Sequence, residues 1–163
     1  MLSLPATEHE HHQRIMPHLD ALPALADMVA EGATDAYRAR FEDEYRFIIE
    51  QLVPHVERIE ETIYPQLERL MQNRHSMVPM RHEHQQLHRL IGSLGKYRTA
   101  VEAGRLGAAE ATGLRRAIYR LYAILKVHLA EEEHYISVLE RNLSSEERSA
   151  LAEAMDHAMA QPI

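Results

Sequence analysis

The sequence contains no cysteine. Disulfides, zinc–thiolate sites, iron–sulfur clusters and cysteine nucleophiles are therefore excluded together, and any metal must be held by nitrogen and oxygen atoms. A clustered basic face is missing too. The net charge is -7, and the arginines are interspersed with glutamates. This argues against a nucleic-acid partner, because phosphate neutralisation needs grouped cations. No apolar run approaches bilayer length, and Met1 to Thr7 carries no basic region followed by an apolar stretch, so no membrane partner and a cytoplasmic location are expected. Nor is there a Ser/His/Asp arrangement or a glycine-rich phosphate loop to suggest a hydrolase or a nucleotide enzyme.

The apolar fraction of 45% and the charged fraction of 26% belong to a folding chain, not a disordered one. At 163 residues the expectation is a single domain over 1–163. Apolar residues recur at three- and four-residue steps, and no stretch alternates in the rhythm of a strand, so the fold is expected to be all-α. The first helix is expected to start after Thr7, with Thr7 and Glu10 as its cap, and to end near Gly32. The second follows Thr34 to about Asn73 with kinks or a break at Pro54 and Pro65. The third starts between Ser76 and Pro79 and ends before Gly104, and the fourth runs from Ala108 to Asn142. Short connections make an antiparallel up-down four-helix bundle over about 7–142 the simplest packing. Ser144 and Glu147 form a capping box opening a short extra C-terminal helix, about 145–160, which either caps the bundle or forms a homodimer.

The abundant residue is histidine, with 12 copies, so the question becomes which of them face the core. In MRHEHQQLHRL, His84 and His88 stand one turn apart, about 40° around the axis, on the face expected to carry Met80 and Ile91. In VHLAEEEHY, His128 and Glu132 share the same spacing, in register with Leu121, Ile124, Tyr135 and Leu139. A carboxylate aimed into an apolar core is expensive unless paired or metal-bound, so Glu132 needs a partner. On the second helix His55 flanks the inner stripe. The position one turn on is Ile59, and Glu60 lies roughly 140° around the axis from His55. Counting back from the turn near Ala33 makes His11 or His12 level with His55. His12 is the first choice, with His18 a further candidate. A lone inward histidine is more often a hydrogen-bonded core residue than a ligand. Histidines and His/Glu pairs converging from separate helices are what a plain core explains poorly. By contrast His75, His82, His134 and His157 are expected in solvent.

These residues resemble the hemerythrin-like, or HHE cation-binding, family over about Glu8 to Leu139. The resemblance rests on His12 before IMPHLDAL, His55 with TIYPQL, His84 with His88, and His128 with Glu132. The chain departs from the family at Ile59, where a bridging glutamate is expected. Either Glu60 takes that place through a distorted turn, or a tyrosine or water does, or only one metal is held. The resemblance implies iron, two ions or a single one, with ligands among His12, His55, Glu60, His84, His88, His128 and Glu132. It also implies a small partner molecule: dioxygen or another diatomic, nitric oxide, or peroxide. Leu52, Ile59, Leu121 and Ile124 would wall the site. An oxidase or peroxidase on the same site, and a metal-free bundle acting as an interaction module, stay open.

Overall fold

A computed structural model describes residues 4–32 and 34–159, with side-chain surroundings given for fewer of them. Helix is the only regular secondary structure among the described residues. The order is α1 (Leu4–Glu31), α2 (Thr34–Phe47), a π-helical segment (Ile48–Leu52), α3 (Val53–Thr62), α4 (Tyr64–Leu70), α5 (Val78–Glu102), α6 (Ala108–Glu140) and α7 (Ser145–Met159). None of these helices is long and apolar enough to cross a membrane. The turn residue Ala33, the expected end of α7 at Ala160, and the side chains of Thr7, His9, Glu10, His11, Leu139 and His157 lie outside the described residues.

Helix ends follow local chemistry. Gly32 and Gly104 take φ of 71° and 63° after α1 and α5, a left-handed conformation that costs glycine little. The Ser144–Glu147 capping box is reciprocal: Ser144 N–H donates to Glu147 Oε2 at 2.8 Å and Glu147 N–H to Ser144 Oγ at 3.2 Å. The bond from Ser144 N–H to the ionised carboxylate, followed by the Ser144 hydroxyl, holds the Glu147 pKa below the usual range. α1 starts earlier than expected, at Leu4, so Thr7 lies within the helix.

The stretch expected as a second helix with kinks or a break at Pro54 and Pro65 is three helices and a π turn. Pro54 has no N–H to give the carbonyl of Glu50, and its ring crowds that carbonyl. The chain widens there, with Val53 N–H donating to Ile48 O, five residues back. Ahead of Pro65 the helix breaks at Ile63.

α1 packs along α6 and against α2, α5 packs along α6, and α7 packs against α1 and α3. Two apolar clusters result. The larger includes Ile15, Leu52, Val56, Leu87, Leu125 and Leu129. The smaller includes Ile59, Met80, Ile136, Leu151 and Met155. The two adjoin along the sequence at the residues that carry the candidate site.

Candidate metal centre

Among the described residues, six buried polar side chains interrupt the apolar core: His12, Glu44, His55, His84, His128 and Glu132. All except Glu44 gather at the junction of the two clusters. His84 sits between Met80 and Leu87, and Glu132 between Leu129 and Ile136. α1 supplies His12, α3 His55, α5 His84, and α6 His128 with Glu132 one turn on.

One ligand atom from each of His12, His55 and Glu132 lies within 4.8 Å of the others, a grouping able to hold a metal ion. Glu132 Oε2 is 3.4 Å from His12 Nε2 and 3.9 Å from His128 Nε2, so this carboxylate faces both histidines. On its far side His128 Nε2 lies 2.9 Å from His84 Nε2, and Tyr64 Oη is 3.2 Å from the same His84 nitrogen. A cavity of about 10 Å³ sits among these groups, walled by Leu52, Val56, Ile59, Leu125 and Leu129. Of the expected wall, Leu52 and Ile59 are present. Leu125 and Leu129 take the places foreseen for Leu121 and Ile124, because they share the His128 turn of α6.

Three of the four histidines are held from behind by a carboxylate on the Nδ1 side. Glu60 on α3 is 2.9 Å from His84 Nδ1, Glu83 on α5 is 2.8 Å from His128 Nδ1, and Glu133 on α6 is 3.2 Å from His12 Nδ1. An ionised carboxylate only accepts, so each contact fixes the proton on Nδ1 and leaves a lone pair on Nε2. Each glutamate reaches across to a histidine on another helix. Every Nε2 so fixed points into the group.

The protonation balance agrees. Burial lowers the His55 pKa to about 4, against the opposing pull of Glu132. Burial, then the neighbouring His128, lowers His84 to about 4. Burial alone would push the Glu132 carboxyl up. Contact with His12, then the neighbouring His128 and His55 rings, outweigh it and hold Glu132 well below the carboxylate range. Neutral His55 and His84 and an anionic Glu132 are the forms that bind a cation.

The donor set fits such a cation. Two lone pairs on His84 and His128 facing each other at 2.9 Å repel unless a positive charge lies between or beside them. Two nitrogens on one first-row metal, each at about 2.0–2.1 Å, stand about 2.9 Å apart at a right angle and about 3.4 Å apart at the tetrahedral angle. The His84–His128 and His12–Glu132 separations match those spacings. Imidazole and carboxylate without thiolate suit iron, manganese or zinc.

The remaining sequence candidates stand apart. His88 was expected inward and is exposed. Taking Met80 as zero, His84 lies at about 40°, already the edge of a buried stripe centred on Leu87 and Leu94, and one more turn carries His88 to about 80°. Glu60, expected among the ligands, touches His84 on the Nδ1 side, away from Nε2. His18 belongs to a separate pair: its Nδ1 is 2.8 Å from the buried Glu44, which also binds Arg40 at 3.0 Å, and its ring stacks on Phe47 at 3.7 Å. Sequence reasoning passed over Glu83, Glu133 and Tyr64. The available signal was adjacency: Glu83 precedes His84 and Glu133 follows Glu132, and a residue about 100° from an inward ligand lies along the seam with the next helix.

A family model described as hemerythrin HHE cation binding domain matches residues 4–139. No curated protein and no solved structure matches the chain.

Proposed function

The chain belongs to the hemerythrin HHE cation-binding domain family, and from that premise we propose that its buried histidine–carboxylate group holds non-haem iron and binds dioxygen or a related small oxidant, peroxide or nitric oxide. The observation that carries the reading is the convergence of Nε2 atoms fixed by Glu60, Glu83 and Glu133 around an anionic Glu132. Two ions suit this donor set: His12 and His55 for one, His84 and His128 for the other, with Glu132 between them. Ile59 leaves the family's bridging carboxylate position apolar, so Glu132 is the one buried carboxylate at this group, the buried Glu44 pairing instead with His18 and Arg40. The four helical arms α1, α2 to α4, α5 and α6 are proposed to run as an antiparallel bundle, and the protein to act in the cytoplasm.

Iron would supply a Lewis-acidic, redox-active position for a small ligand. The chain's own part is to exclude bulk water with Leu52, Ile59, Leu125 and Leu129, and to hold each ring in one tautomer. A cavity of about 10 Å³ is about the size of one water and admits no organic substrate.

Elemental analysis of aerobically purified protein, with its near-ultraviolet and visible spectrum, tests the reading. About two irons per chain are expected, lost in His55→Ala and Glu132→Ala variants that remain helical. Protein that folds with no metal, and takes up none when ferrous iron is supplied without air, would overturn it.

A further inference from the structure

Three spaces follow one another from the surface to the metal group, each sharing part of its wall with the next. The outermost is an open cleft of about 520 Å³ between α1, α2 and the π-helical segment. Behind it lies a void of about 10 Å³, walled by Ile15, Leu19, Leu22 and Ile48. His18, Glu44 and Phe47 line both spaces and part them. Leu52 and Leu125 likewise line both the void and the cavity at the metal group.

The charges stay on the solvent side of this series. Arg46 lies 3.8 Å from Asp43, and Glu50 and Gln51 complete the rim of the cleft. Glu44 has each carboxylate oxygen engaged, one by His18 Nδ1 at 2.8 Å and the other by Arg40 at 3.0 Å. The His18 ring in turn stacks on Phe47. Past that partition the walls are hydrocarbon. Water or hydrogen peroxide there would need several polar partners and an anion a counter-charge, whereas dioxygen and nitric oxide need neither. The void has about the room of one water, and buried side chains hop between rotamers, so a diatomic gas passes by small movements of Leu52 and Leu125. The groove on the α1–α6 seam offers a worse approach. Gln13, Lys126 and Glu133 line it and it ends on His12, a ring of the metal group itself, so it cannot widen there without disturbing the site.

We propose that small apolar gases, dioxygen or nitric oxide, reach the metal group by this series of spaces, past the stacked His18 and Phe47 rings and between Leu52 and Leu125. The walls of the void thereby select an apolar ligand over peroxide or an anion. Entry of gas into the void stands on the packing alone, while its destination rests on the proposed function.

Dioxygen is paramagnetic, so methyl-resolved NMR of the metal-free full chain under dioxygen, against the same pressure of nitrogen, reports where the gas goes. Relaxation at the Leu22 and Ile48 methyl groups should quicken at least about twice as much as at Leu114 and Leu151, as expected of a dry apolar void. Leu114 and Leu151 are buried too and line none of the three spaces. Equal quickening at the two pairs would overturn the proposal. Leu22→Phe fills the void from its wall. In the iron-loaded protein its association and dissociation rates for nitric oxide should fall together, at least about tenfold, the scale set by one overpacked side chain, with Kd unchanged. Phe47→Ala, at the half-buried outer ring, should raise both rates. A helical Leu22→Phe variant with native rates would overturn the route, and if that variant does not fold, native rates in Phe47→Ala would do so. A sample that takes up no iron would refute the metal reading, leaving the dioxygen map of the metal-free chain to decide whether the void admits gas.

Discussion

At the scale of single residues, the informative groups are the three glutamates behind the buried histidine rings. If Glu60, Glu83 and Glu133 set the tautomers of His84, His128 and His12, then replacing each by glutamine keeps the shape and removes the charge that fixes the Nδ1 proton. Metal affinity should fall about 10–100-fold in each variant, read by competition with a chelator, with helicity unchanged. His88→Ala, at an exposed position, should leave affinity unaltered. The inward histidines His12, His55, His84 and His128 and the inward Glu132 were legible in the sequence, because apolar stripes mark the core face of a helix. His88 and the supporting glutamates were not. An i, i+4 pair drifts about 40° per turn, so only the packed stripe decides where its second member falls, and contacts between helices leave no fixed spacing in the chain.

At the scale of elements, the π-helical segment decides where His55 points. One extra residue in the turn over Ile48–Leu52 rotates everything after it by about 100° relative to a continuous α-helix. With that turn, His55, Val56, Ile59 and Ile63 are buried while Ile49 is left exposed. Deleting Ile49 should let the backbone close into an ordinary α-helix and carry His55 out of the group. The expected result is near-native helicity by circular dichroism with loss of bound metal. Unchanged metal content would mean that the segment does not set the register. Pro54 announced a disturbance in this stretch, yet a kink, a break and a π turn all satisfy a missing N–H, and the choice comes from packing on both sides. α7 was legible through its Ser144–Glu147 box. Its role was not, since an apolar face reads alike whether it covers its own chain or a second copy. Leu151 and Met155 lie fully buried with Ile59, Ile63 and Met80, so α7 covers the core beside the site. Leu151→Ala should cost about 2–5 kcal/mol in urea unfolding, and a cost below about 1 kcal/mol would contradict that role.

At the scale of the whole molecule, a polar centre lies at the junction of two apolar clusters, so the metal-free protein holds the junction together only while the buried rings stay neutral. His55 and His84 have folded pKa values of about 4 against 6.5 unfolded, with burial as the main cause. Between those values the unfolded chain binds more protons than the folded one, so stability falls as pH drops through the window and is level above it. Glu132, held low, acts in the same direction at still lower pH. For His55 alone the loss between pH 6.5 and 4 is on the order of 3 kcal/mol, a large share of a domain's stability. Urea midpoints of chelator-treated protein should therefore be flat above pH 7 and decline steeply below 6.5. His55→Gln, which cannot titrate, should flatten part of that decline. Bound metal occupies the nitrogens that protons would take, so it should move the decline to lower pH. A midpoint that stays constant from pH 7 to pH 4 in the metal-free protein would mean that the rings are solvated and the junction is open to water.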